Sequence, residues 1–150
     1  MRRKTLKVFL DTSVIFSAVF SSTGGARKLF QLGEAGVLRL CLGHNVLREC
    51  EEVVRRKAPA SLPTLAMLLE ISGVETTPAP SKGQLEIARA IVQYEPDAYV
   101  LAEAIRSEPD WFVTHDRAHF LKKNNVSKLD FRIGTPGDLL QSLIDDVTLP

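Results

Sequence analysis

Residues 6–20 read LKVFLDTSVIFSAVF. Leu6–Leu10 is a short apolar run rich in strand formers, and Asp11 breaks it. SVIFSAVF then opens a helical pattern. The same change of period repeats along the chain. Ser21–Gly25 reads as a turn and Ala26–Leu32 as a helix. Val37–Leu42 is a strand ended by Gly43, and His44–Lys57 an amphipathic helix with Val46, Leu47, Cys50, Val53 and Val54 on one stripe. Ser61–Ser72 is helical up to Gly73, and Val74–Thr77 a short strand closed by Pro78 and Pro80. Lys82–Gln93 and Pro96–Arg106 read as helices, Trp111–Thr114 as a strand and Arg117–Lys123 as a short helix. Leu129–Ile133 and Leu139–Ile144 complete the pattern as strand and helix. The runs LKVFL, VLRLCL and WFVT are apolar almost throughout, as suits strands covered on both faces. Alternation with buried strands predicts an α/β fold, a three-layer α/β/α sandwich around a mainly parallel sheet. Ligands of such sheets bind beyond the carboxyl ends of the strands.

The 150 residues predict one domain. With 45% hydrophobic and 25% charged residues the composition excludes wholesale disorder. No window approaches the roughly 18 apolar residues of a membrane span. The opening MRRKTLKVFLDTSV loses its apolar run at Asp11, so no secretory signal is expected. A cytoplasmic, reducing setting is expected, with Cys41 and Cys50 as free core thiols. Cys41-x-x-His44 lacks the second half of a zinc site. The net charge of +1 argues against holding nucleic acid by bulk charge alone. Arg2–Lys4, Arg55–Lys57 and Lys122–Lys123 are short basic clusters, read as solvated faces unless something else demands phosphate.

Four acids stand where ligands bind or beside it. Asp11 follows LKVFL directly, Asp116 follows WFVT by one residue, and Asp97 lies at the start of the helix AYVLAEAIRS. Glu49 and Glu51 flank the apolar stripe of His44–Lys57 on opposite sides, while Glu52 faces away. Each Asp alone is explained as a helix N-cap. Together they read as a carboxylate cluster, which needs a divalent cation or takes up protons. Oxygen donors without His or Cys select Mg²⁺ or Mn²⁺, and such an ion can polarise a phosphodiester and activate water. Thr12 and Ser13 add short hydroxyls beside Asp11.

The order of these segments resembles the PIN-domain nucleases, and within them the toxins of the VapC kind. VFLDTSVIFSAVF resembles the opening Asp-Thr-Asn/Ser motif, and HNVLRECEEVVRRK the helix that carries the family Glu, which falls on Glu49. EPDAYVLAEAIRSEPDWFVTHD resembles the segment with two more acids, which fall on Asp97 and Asp116. KLDFRIGTPGDLLQSL resembles the last strand, a Thr-Pro turn and the terminal helix. The resemblance implies a metal-dependent ribonuclease with Asp11, Glu49, Asp97 and Asp116 as ligands of one or two ions. Ser13 stands where Asn is common, and Glu95-Pro96-Asp97 where many relatives carry a run of Asp. Asp110 matches a further family acid, read as structural or outer-shell; Thr114 either touches a ligand carboxylate or merely ends its strand. His115 lies beside the acids in the loop. Arg55, Arg56, Lys57, Lys122 and Lys123 would hold RNA phosphates. An antitoxin protein and a homodimer are further implications.

Two other classes compete. A phosphoacceptor domain also places an Asp after its first strand, but the phosphatase form wants a second Asp where Ser13 stands. A catalytically silent PIN-like module would hold RNA or a partner without cutting.

Overall fold

The computed structural model describes residues 5–121 and 129–148. Five strands make one sheet: β1 (Leu6–Leu10), β2 (Leu38–Gly43), β3 (Glu75–Thr77), β4 (Trp111–Val113) and β5 (Arg132–Gly134). Their order is β3-β2-β1-β4-β5 and every pairing is parallel. The helices are α1 (Thr12–Phe20), α2 (Gly25–Glu34), α3 (His44–Lys57), α4 (Leu62–Ile71), α5 (Lys82–Ile91), α6 (Glu95–Ser107), α7 (Arg117–Leu121) and α8 (Pro136–Thr148). A 3₁₀ turn at Pro59–Ser61 precedes α4.

Strand order reverses at β1. Parallel strands need crossovers, and these turn right-handed, so connections running in opposite directions lie on opposite faces. α1–α4 serve the β1–β2–β3 side; α5 and α6 return over the other face to β4. α8 packs against α2 and touches β4 and β5. The expected α/β/α sandwich is therefore present, with a fully parallel sheet.

The central strands are dry. Val8, Phe9, Leu10, Phe112 and Val113 have no exposed surface, which is why their runs do not alternate with polar residues. Phe9 and Phe112 face each other in register, with ring centroids 5.5 Å apart and planes at 75°. Burying each ring stabilises the fold by about 2 kcal/mol.

Several boundaries differ from the sequence reading, for identifiable reasons. β5 begins at Arg132 rather than Leu129, because its register is set by β4: Trp111 opposes Arg132 and Val113 opposes Gly134. Leu129 and Phe131 are half-buried against the core without pairing. α8 starts at Pro136 rather than Leu139. A reciprocal cap forms there, in which the Thr135 hydroxyl accepts from Asp138 N–H (3.1 Å) and the Asp138 carboxylate from Thr135 N–H (2.9 Å). Lys82–Gln93 stops at Ile91, and the predicted helix at Ser61–Ser72 is divided between the 3₁₀ turn and α4. Lys122 and Lys123 of the predicted Arg117–Lys123 helix, and the basic Arg2–Lys4, lie outside the described residues.

Candidate active site

The switch point between β1 and β4 carries Asp11 and Thr114. Asp11 N–H donates to the Val113 carbonyl (3.0 Å), extending the β1–β4 ladder by one step. Although Asp11 occupies the N-cap position of α1, its side chain makes no capping bond. Its Oδ2 instead accepts from two hydroxyls, Ser13 Oγ at 2.9 Å and Thr114 Oγ1 at 2.7 Å. Each hydroxyl also accepts a backbone N–H of the loop after β4: His115 N–H to Ser13 (3.1 Å) and Asp116 N–H to Thr114 (3.0 Å). One carboxylate oxygen is thereby tied to both strand ends. Asp11 is only 8% exposed, and burial pushes its pKa above the ordinary carboxylate value, against the hydrogen bonds from Thr114 and Ser13. Asp116 is exposed, and its charge pushes Asp11 the same way.

Glu49 lies on the second turn of α3 and is hydrogen-bonded by the Thr12 side chain. Although the residue is exposed overall, partial desolvation and then the charges of Asp11 and Asp97 hold its pKa above the usual range. Asp97 sits inside the first turn of α6, not at its cap, which is Tyr94. Its Oδ2 lies 3.3 Å from His119 Nδ1 on α7. Asp11, Glu49, Asp97 and Asp116 thus share one rim, linked by mutual charge. Glu51, an alternative to Glu49 on spacing, is exposed.

Other sequence candidates lie elsewhere. Asp110 binds at the opposite edge of the sheet, where its Oδ2 accepts Lys7 N–H (2.8 Å) and its N–H donates to Lys7 O (2.8 Å). That is a structural tie between β1 and β4, at the other end of the strands from Asp11. A cavity of about 510 Å³ opens at that edge beside Asp110, Trp111 and Arg132. Arg55, Arg56 and Lys57 end α3, roughly 9–12 Å of helical rise past Glu49. Arg56 approaches Glu52 at 4.0 Å there. Lys122 and Lys123 lie outside the described residues. Cys41 and Cys50 are buried in the core, and burial pushes both thiols up.

Glu103 was not anticipated at all. It is fully buried on α6, and Oε2 accepts Asn45 N–H at 2.9 Å, with Val46 N–H also hydrogen-bonded to the carboxyl. These are orphan donors of the first turn of α3. Gly43, the N-cap of α3, has no side chain to offer, and a Cβ there would overlap the Glu103 carboxyl. Glu103 thus caps α3 from α6 and joins the helices of Glu49 and Asp97. Burial pushes its pKa up to about 7, and among the described residues Oε1 has no hydrogen-bond partner. Its one sequence signal is an acid inside the apolar stretch AYVLAEAI.

Do these residues suit a hard divalent ion? The donors are all carboxylates that repel one another. Among the described side chains no Lys or Arg forms an ion pair with the four acids. That chemistry fits Mg²⁺ or Mn²⁺. The geometry is looser: among the described residues no three His, Cys, Asp or Glu stand close enough to form a ready-made ion site.

The fold and rim define an α/β protein with an acidic switch point. Residues 7–118 match the family model described as PIN domain, about three-quarters of the chain, and the chain belongs to that family. Its fold is also similar to a chain in the crystal structure of VapBC2 from Rickettsia felis bound to a DNA fragment from their promoter. The TM-score is 0.66 at 14% identity, covering 86% of this chain and 98% of that one. No curated protein matches the sequence.

Proposed function

We propose that the chain is a divalent-metal-dependent endoribonuclease and the toxin of a toxin–antitoxin pair. The observation that carries this reading is Asp11. It is a buried carboxylate at the switch point, fixed through one oxygen by two hydroxyls and paired with acids instead of cations. Membership of the PIN family and the likeness to a VapBC2 chain support it. Asp11, Glu49, Asp97 and Asp116 would hold Mg²⁺ or Mn²⁺. When bound, such an ion supplies Lewis acidity and an activated water for phosphodiester hydrolysis.

The protein's own groups orient this chemistry. Ser13 and Thr114 fix the rotamer of Asp11, and Thr12 holds Glu49 beside it. His119 sits against Asp97. Cleavage of a mixed single-stranded RNA pool, with Mn²⁺ and with chelator, tests the reading. Wild type should cut only with metal. Asp97→Asn should lose more than the roughly 10–100-fold typical of an outer-shell partner. Equal cleavage by both proteins would sink the site.

The loose spacing of the carboxylates favours one second reading, a silent RNA- or partner-binding module. RNA binding without metal-dependent cleavage would select it. The toxin reading also includes a homodimer. Leu32, Val37, Leu143, Ile144 and Val147 line an apolar groove between α2 and α8 that a second copy would cover. Sedimentation of wild type should then give a dimer, and Ile144→Glu a monomer.

A further inference from the structure

Beyond the ends of β2 and β3 a cavity of about 440 Å³ opens at the first turn of α3. His44, Asn45 and Arg48 line one wall, Thr77 and Pro78 another, and Tyr99 of α6 a third. Arg48 lies on α3 and Tyr99 on α6, the two helices that also carry Glu49 and Asp97. Arg48 is exposed; its Nη2 donates to Asn45 Oδ1 at 3.1 Å, and among the described residues it makes no ion pair. Tyr99 is half-buried.

A polyanion approaching this rim meets four carboxylates. The net charge of +1 gives no long-range attraction to offset them. The basic cluster Arg55–Lys57 is at the far end of α3. Arg48, by contrast, stands at the carboxylate end. A guanidinium presents a planar fork that matches a phosphate, and a tyrosine ring presents a face on which a base stacks. The volume lies within the ~300–1,000 Å³ range of small-ligand pockets, enough for one nucleotide. An acidic peptide would use Arg48 but leave the Tyr99 face idle.

We propose that this pocket holds the nucleotide flanking the scissile phosphodiester, with Arg48 on its phosphate and Tyr99 against its base. The assignment rests on the nuclease reading. Base stacking there gives a sequence-tolerant anchor, and His44 and Asn45 offer polar groups at its edge.

The test is binding of fluorescein-labelled single-stranded RNA of mixed sequence over a salt series, with Mg²⁺, in the full chain carrying Asp97→Asn so that the probe persists. Arg48→Ala should weaken binding about tenfold and reduce the salt slope by about one. Tyr99→Ala should weaken it about tenfold with the slope unchanged. Arg106→Ala, which removes an exposed cation from the last turn of α6, should change neither. Circular dichroism checks folding, and Arg48→Lys, which keeps the charge and loses the fork, replaces Arg48→Ala if that variant misfolds.

Pocket variants that bind like Arg106→Ala, or a parent with no saturable RNA binding, would overturn the proposal. So would an Arg48→Ala variant that keeps its RNA but loses a labelled glutamate-rich peptide, which would assign the pocket to an acidic protein segment. Cleavage by wild type in Mn²⁺ is scored separately. Pocket-dependent binding without cleavage removes the nuclease reading and leaves the nucleotide pocket standing. Cleavage with unaffected pocket variants removes the pocket alone.

Discussion

Two hydroxyls meet on one oxygen of Asp11, and that arrangement makes separate predictions for each. Thr114 is fully buried. Thr114→Val keeps its volume but removes the donor to Asp11 and the acceptor for Asp116 N–H. The hydrogen bond lowers the Asp11 pKa, so the variant should raise it further. Metal affinity should fall by about 10–100-fold, as for other outer-shell partners, while Thr114→Ser retains it. Titration with Mn²⁺ followed by cleavage rate checks both. At this scale the sequence was generous. Asp11, Thr12 and Ser13 are adjacent, so one short motif displays three members of the network. What it left open was whether Asp11 caps α1 or serves the site. The absence of a capping bond answers the capping half, through contacts made 103 residues away at Thr114.

Between elements, Glu103 is the decisive residue. It joins α6 to α3 across 58 positions, and no local spacing could reveal that pairing. Strands β1, β2 and β4 and helix α3 were legible because their periodicity is local and their ends are marked by Asp11, Gly43 and Lys57. β5 was misplaced because Leu129, Phe131 and Ile133 suggest a strand, while the hydrogen bonds that define it belong to β4. Glu103 also gives α3 and α6 a pH dependence. Its folded pKa of about 7 exceeds the ordinary 4.5. The folded state therefore binds the extra proton, and stability is greatest below about pH 4.5 as far as this group is concerned. It declines between 4.5 and 7 and is flat above that. Relative to Glu103→Gln, wild type should lose up to about 3 kcal/mol across that window in urea melts at successive pH values. Gly43→Ala should destabilise by about 1–3 kcal/mol through overlap with the same carboxyl. Combining it with Glu103→Ala should recover part of that loss, because the overlapping group is gone.

Across the whole molecule, the sheet order β3-β2-β1-β4-β5 puts the first strand at the centre and brings the fourth beside it. The acidic rim follows from this order, because Asp11 and Asp116 become neighbours only when β4 docks on β1. Residues 1–107 by themselves would contain Asp11, Glu49 and Asp97 but neither the Val113 carbonyl nor the Thr114 hydroxyl that fix Asp11. A fragment of those residues should leave the Asp11 amide unprotected in hydrogen exchange, whereas the full chain protects it.

The position of β4 also sets a timetable. A ribosome making this protein completes three of the four acids before it has made the strand that organises them. Until then the nascent chain carries scattered carboxylates. Its acidic rim comes into being only once residues 111–116 have been made and β4 can dock on β1.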